Sequence, residues 1–271
     1  MLTIEKLKVS YKNTLALKID SRIHFEEGDK IGVIGSNGAG KTTLIKALLG
    51  LVPYTGKIHS SISPQEMAVH LQENNYVTTV SVKVIMESIL AIKIQDNQEI
   101  QELIRFFHFE DCLKKRFKQL SGGQQQRLTI ILVLMQNSPL TFFDEVTSGL
   151  DFETRQQLME KINQWYRDKK STLVVVSHYY DELEILVNKL LILEKGHVVD
   201  FGDKSELFHK YCGSSTIIVD NTMENKQLLS AFKQITAPDH LLAYSCLNKQ
   251  EEMEIVRTCV EQEINFKRSN N

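Results

Sequence analysis

The sequence predicts an α/β fold with a mostly parallel sheet, an N-terminal antiparallel β subdomain, an inserted helical subdomain and a small C-terminal α/β appendage. Three observations predict it. Gly35-Ser36-Asn37-Gly38-Ala39-Gly40-Lys41-Thr42-Thr43 matches G-x-x-x-x-G-K-[ST] at every fixed position. It lies between the short apolar run Lys30-Ile31-Gly32-Val33-Ile34 and a helical stretch closed by Gly50, the strand, loop, helix order that a phosphate-binding loop requires. Two further apolar runs, Leu140-Thr141-Phe142-Phe143 and Leu173-Val174-Val175-Val176, read as buried strands, and residues 2–34 alternate apolar and polar in short runs as antiparallel strands do.

In the loop the glycines turn the backbone tightly and bring its N–H groups onto phosphate oxygens, aided by the positive end of the helix that follows. Lys41 neutralises the terminal phosphates of a nucleoside triphosphate and Thr42 offers its hydroxyl to the accompanying Mg²⁺. The remainder of the chain is ordinary by composition. It has 271 residues, 42% hydrophobic and 24% charged, with a formal net charge of −2, so nothing demands a nucleic acid partner. Residues 1–6 lack the apolar core of a signal peptide, and the longest apolar run, 128–135, is far short of the roughly 20 residues of a membrane span. A cytoplasmic protein is expected, with any membrane role exercised through another subunit. Cys112, Cys212, Cys246 and Cys259 form no C-x-x-C pair and read as reduced, mostly buried thiols.

Taken in order, Tyr11 ends the first alternating run, where its ring serves either to stack on an adenine or to fill a hairpin. After the turn signal Val52-Pro53-Tyr54-Thr55-Gly56, the run Met67-Ala68-Val69-His70-Leu71 ends in Gln72, a neutral amide able to reach a metal or a water. Helical periodicity over 82–117 marks the insertion, which extends to about residue 136. Leu120-Ser121-Gly122-Gly123-Gln124 then opens an apolar helix at 128–135, with Ser121 as its cap and a second anion-binding terminus as the functional reading. Asp144 and Glu145 end the next strand, and two adjacent acids there need a reason, because burying charge without a partner is costly. Mg²⁺ at Asp144 and an activated water at Glu145 supply it. Ser148-Gly149-Leu150-Asp151 turns into a long helix, and His178 stands just past the run 173–177, where its ring N–H suits a developing γ-phosphate charge. Domain boundaries follow: residues 1–212 as the main domain, a hinge at Gly213-Ser214-Ser215, and 216–271 as the appendage, with no chemistry of its own.

Together these segments resemble an ATP-binding cassette (ABC) ATPase, the motor subunit of ABC transporters. Gly35 to Thr43 resembles its Walker A loop, Gln72 its Q-loop, 120–124 its LSGGQ signature, 141–145 its Walker B strand and catalytic carboxylate, 148–151 its D-loop, His178 its switch histidine and Tyr11 its adenine-stacking aromatic. The resemblance implies a P-loop NTPase of ABC type that binds ATP and Mg²⁺. Ser36, Asn37, Gly38, Ala39, Gly40, Lys41, Thr42 and Thr43 would hold the phosphates, and Thr42, Gln72 and Asp144 the metal. Glu145, His178 and Gln72 would act in hydrolysis. Ser121, Gly122, Gly123 and Gln124 would come from a partner cassette, so that two identical chains close head to tail around ATP beneath a separate integral membrane subunit. The chain departs from the family at Thr141, in a strand usually wholly apolar, and at Val146, where proline is usual. The phrase Ser177-His178-Tyr179-Tyr180-Asp181-Glu182-Leu183-Glu184, the short insertion and the tail look most like bacterial drug- or peptide-exporter cassettes. Importer cassettes share every motif, and soluble cassette ATPases of translation or repair are the alternative of another class.

Overall fold

In a computed structural model the structure describes residues 1–12, 14–71, 76–150, 152–177, 180–213, 215–238 and 240–270. These form two compact units, Met1–Phe201 and Gly202–Asn271. The division falls ahead of the expected hinge, so the helix Lys204–Cys212 goes with the second unit.

The first unit begins with the antiparallel strands β1 (Leu2–Tyr11), β2 (Thr14–Ile19) and β3 (Ile23–Phe25), followed by β4 (Lys30–Ile34) and α1 (Lys41–Leu48). β5 (Thr55–Ser60), which the sequence reading treats as a turn and its aftermath, adds to β1 antiparallel. Its residues are exposed apart from Ile58, which is half-buried and packs on the core. Next come β6 (Met67–His70), α2 (Val82–Leu90), α3 (Gln98–Phe106), α4 (Gly122–Leu134), β7 (Leu140–Asp144), α5 (Phe152–Tyr166), β8 (Thr172–Val176), α6 (Tyr180–Leu186), β9 (Lys189–Glu194) and β10 (His197–Asp203).

Among the described residues one sheet runs in the order β3-β1-β2-β10-β9-β4-β8-β7-β6. β4, β6, β7, β8 and β9 pair in parallel, and β1 pairs antiparallel with β2, β3 and β5. β7 and β8 are buried at every position, as expected of parallel strands covered on both faces. The core joins Leu2, Ile4, Leu7 and Phe25 of the antiparallel part to Leu44 and Ile45 of α1 and to Phe142 and Val174 of the parallel part. In the helical insertion, Asn97 caps α3 through the Ile100 N–H, and Ile100, Leu103 and Ile104 bury one face of it.

The second unit contains α7 (Lys204–Cys212) and then β11 (Ser215–Asp220), α8 (Met223–Leu228), β12 (Gln234–Ile235), β13 (Leu241–Cys246), α9 (Lys249–Glu261) and β14 (Phe266–Asn270). Its sheet order, β12-β13-β11-β14, with βαββαβ connectivity, is the split βαβ arrangement. Ile217, Val219, Leu242 and Tyr244 of the sheet pack with Ile255 and Cys259 of α9 into a separate core.

His70 closes β6 opposite Phe143, 3% exposed, with ring centroids 6.5 Å apart. Burial pushes its imidazole down to about 4, opposed weakly by its own backbone. An unfolded chain therefore takes up a proton near pH 6.5 that the folded chain refuses until about pH 4, and this group removes stability as pH falls through that window. At pH 5 the loss approaches 2 kcal/mol, about 1.4 kcal/mol for each pH unit below 6.5. Denaturant unfolding at pH 7 and pH 5 checks this: the difference in stability between the two should shrink by about that amount in His70→Leu relative to the unaltered chain.

Candidate nucleotide site

The phosphate loop follows β4 and leads into α1. Gly40 caps the helix with φ 102°, and a β-carbon there would stand 2.7 Å from the Ala16 carbonyl oxygen, so only glycine fits both the angle and the space. Gly35 is likewise pressed against the Leu193 carbonyl of β9. Ser36, Asn37 and Gly38 are exposed at the crest of the loop, while Ala39 is buried beneath it. The Lys41 ammonium donates to the carbonyls of Gly35 (2.8 Å) and Ser36 (3.2 Å), which folds the side chain over the mouth of its own loop. Burial pulls its pKa down, and the carboxylates of Glu145 and Asp144 pull it back up.

The sheet order sets the rest. β8 lies between β4 and β7, so the loops that leave β4, β8 and β7 at their carboxyl ends emerge side by side. Thr42 Oγ1 donates to Asp144 Oδ2 at 2.8 Å across that gap. Asp144 is 1% exposed, and burial pushes its carboxyl above the usual range, the Thr42 hydroxyl and Lys41 opposing and Glu145 adding to the rise. Its second oxygen, Oδ1, is buried without a hydrogen-bond partner among the described residues. A buried carboxylate oxygen and a hydroxyl beside a phosphate loop are hard oxygen donors of the kind Mg²⁺ takes, so the site fits Mg²⁺ brought in with the phosphates. Among the described residues no cluster of three or more His, Cys, Asp or Glu could hold a metal ion.

Glu145 follows with φ 50°, a left-handed conformation rarely taken by a residue with a side chain. Its N–H donates to Val176 O at the end of β8 (3.0 Å), and its carbonyl accepts the Ser148 N–H (3.0 Å). The turn thereby brings the second acid back toward Lys41, whose ammonium feels its charge. Val146 does not loosen this turn: it is 1% exposed, and the Ser148-to-Glu145 and Leu150-to-Thr147 hydrogen bonds hold the backbone that proline would otherwise restrict. Thr141 also has a reason. The buried Tyr166 hydroxyl donates to Thr141 Oγ1 at 3.1 Å, and burial pushes the phenol up to about 12.

The signature segment starts α4 by a reciprocal cap. Ser121 Oγ accepts from the Gln124 N–H (3.3 Å), and Gln124 Oε1 accepts from the Ser121 N–H (3.1 Å). Ser121 and Gly122 are exposed, and Gly123 and Gln124 half-buried. Among the described residues no hydrogen bond or ion pair joins 121–124 to the phosphate loop. Gln126, one turn further, donates to Ser148 O at 2.7 Å and so ties α4 to the turn after Glu145. A cleft of about 130 Å³ beside it is lined by Phe107, Arg127, Leu150, Leu158 and Lys161 among others. Arg127 and Lys161 donate there to the carbonyls of Phe107 and Phe106, which accounts for both cations as caps on the negative end of α3.

Tyr11 is 45% exposed at the end of β1, so it is not a core residue. Gln72, Asp151 and His178 lie outside the described residues. Sequence reasoning missed the Gln126 link, the Thr141 partner and a buried group formed by Ser177, Glu182 and Arg155, since none of these pairings leaves a motif.

A phosphate loop on β4, with a buried acid from β7 hydrogen-bonded to its threonine, defines a P-loop nucleotide hydrolase. The family model described as ABC transporter matches residues 20–148. Similar proteins include the thiamine import ATP-binding protein ThiQ of Photorhabdus laumondii, 28% identical over 73% of this chain and 88% of its own length. The methionine import ATP-binding protein MetN of Corynebacterium diphtheriae is 30% identical over 74% of this chain and 64% of its own. The tungstate uptake protein TupC of Peptoclostridium acidaminophilum is 29% identical over 73% and 96%. A solved ATP-binding subunit of an ABC transporter has the same fold, with TM-score 0.67 and 22% identity over 78% of this chain and 92% of that one. The chain contains an ABC transporter ATPase domain homologous to the ATP-binding subunits of ABC transporters, and is an ATPase that uses ATP and Mg²⁺. The relatives named here are import and uptake proteins, and so support the importer alternative better than the exporter expectation.

Asp144 generates a prediction. Mg²⁺ at its buried oxygens relieves the cost of holding that carboxylate ionised, so ATP with Mg²⁺ should raise the melting temperature more than ATP with EDTA. In Asp144→Asn the extra rise should largely vanish; differential scanning fluorimetry reads it.

Proposed function

We propose that this chain powers import: ATP binding and hydrolysis at the site described drive a separate membrane subunit. What supports the direction is the run of relatives whose names state import or uptake, of thiamine, methionine and tungstate. What carries the chemistry is the closure of Thr42 onto Asp144 beside the phosphate loop, with Glu145 next in the chain. No helix among the described residues is long and apolar enough to cross a membrane. In this reading the chain works as a peripheral subunit at the cytoplasmic face.

Residues 36–43, Lys41 among them, would bind the phosphates, and Thr42 and Asp144 would hold Mg²⁺, which would supply charge neutralisation as the γ-phosphoryl group passes from ADP to water. Glu145 orients and deprotonates the attacking water, His178 donates to the γ-phosphate and Gln72 reaches toward the metal and water. Tyr11 stacks on the adenine. Little covalent chemistry is asked of the protein; positioning and charge supply the rate. Ser121, Gly122, Gly123 and Gln124 serve the opposite chain: Ser121 and Gly122 are exposed, and among the described residues no hydrogen bond or ion pair joins 121–124 to the phosphate loop. A solved bacterial ABC transporter cassette with TM-score 0.67 is dimeric. Residues 1–212 are the motor. Residues 216–271, with their own core, form an accessory domain that regulates or braces the dimer.

Glu145→Gln should retain ATP binding and lose hydrolysis by roughly 10²- to 10⁴-fold, the usual contribution of a general base. The same protein should sediment as a dimer with ATP and as a monomer without it. A normal hydrolysis rate would remove Glu145 from its role, and monomers under both conditions would count against a shared site. For direction, the chain reconstituted in vesicles with its membrane subunit should move cargo toward the side that bears the ATPase when ATP is supplied on that side. Cargo moving away from that side would restore export.

A further inference from the structure

Three buried polar side chains that nucleotide chemistry does not use join the end of β8 to α5. Ser177, the residue after β8, is 3% exposed, Glu182 on α6 2%, and Arg155 near the start of α5 9%. Ser177 Oγ donates to Glu182 Oε2 at 2.5 Å, and Arg155 Nη1 stands 3.5 Å from Glu182 Oε1. Packing alone does not call for this arrangement. A buried ion pair pays heavily for lost hydration, and apolar side chains of the same shape would hold two helices together as well or better. What a carboxylate with two oriented oxygens adds is direction: it accepts from one donor on the strand end and faces one cation on the helix, so a shift of either element breaks an interaction between buried groups.

The elements so joined carry the reacting groups. Val176, next to Ser177, stands opposite Asp144 in the β7 to β8 register and accepts the Glu145 N–H, and His178 is the next residue in the chain. At the other end, α5 begins directly after the turn that leaves Glu145 and that Gln126 ties to the signature helix. We propose that Glu182 and Arg155, through Ser177, are positioning residues for ATP hydrolysis: they hold the chain end that leads into His178 in register with the turn between Glu145 and α5. The inference rests on Glu145 and His178 as the reacting residues, and its test separates the two claims.

The test measures ATPase rate against ATP concentration for the full chain, with nucleotide affinity read separately using a fluorescent ATP analogue. Glu182→Gln, which keeps a hydrogen-bond acceptor and loses the charge, should lower kcat about tenfold with KM and affinity within twofold. Ser177→Ala, which removes one oxygen and leaves packing intact, should do the same, and Ser177→Thr, which restores the hydroxyl, should recover most of the rate. Glu182→Gln with Arg155→Met should be no slower than the worse single variant, as expected of groups acting as one unit. The proposal is overturned by kcat within twofold of normal in Ser177→Ala, by a Thr variant as slow as the Ala variant, or by losses that reside in nucleotide affinity. Glu145→Gln runs alongside. If it hydrolyses ATP normally, the assignment of the reacting residues fails; if it is inert while Ser177→Ala and Glu182→Gln are normal, the positioning inference alone fails.

Discussion

The hydrogen bond from Thr42 to Asp144 is the interaction on which the site depends, because it joins two strands that are not neighbours. β4 delivers the phosphate loop, β7 delivers the acid, and β8 holds them one strand apart. Every parallel pairing between them serves to keep that spacing, and the continuous burial of β7 and β8 is what holds the pairings. Asp144 is costly where it stands, since burial works against its charge. The cost is tolerable only with a hydroxyl on one oxygen and a cation for the other, so the same residue that strains the fold specifies the ligand.

The loops at these strand ends were legible because their chemistry is local. A phosphate loop needs glycines and a lysine at fixed spacing, and a capped helix start needs its serine and glutamine three residues apart; both patterns survive in a single stretch of chain. Strand order is not local. Nothing between Leu140 and Val176 states that β8 will sit between β4 and β7. The same limit hid the partners of Thr141, Gln126 and Glu182, which lie 25, 22 and 5 residues away. Thr141 looked like a blemish in an apolar strand until Tyr166 stood beside it.

The elements that sequence reasoning missed share a cause. β5, β12 and β14 lie at sheet margins, are short or charged, and bury little of their own surface. Phe266-Lys267-Arg268-Ser269-Asn270 is hardly a strand by composition, yet it completes the sheet of the second unit beside β11. An edge strand needs only one partner's hydrogen bonds, and charge along it discourages pairing with other chains, so such strands drift away from the apolar pattern that reveals central ones. The βαββαβ topology of that unit therefore became visible only with pairing.

Val146 shows how a departure from a family pattern is absorbed. Proline after Glu145 would bias that glutamate toward extended backbone, whereas here Glu145 has φ 50°. Valine permits the left-handed turn and is buried by it. The stiffness that proline would supply comes instead from three hydrogen bonds: Ser148 N–H to Glu145 O, Leu150 N–H to Thr147 O, and Gln126 Nε2 to Ser148 O. The last of these has a consequence that a proline could not reproduce. It reaches from the helix that begins after Ser121 to the turn that leaves Glu145, so in the proposed dimer the segment lent to a second copy and the acid of the chain's own site would share one mechanical connection. A partner that engages Ser121 then acts on a turn already tied to Glu145.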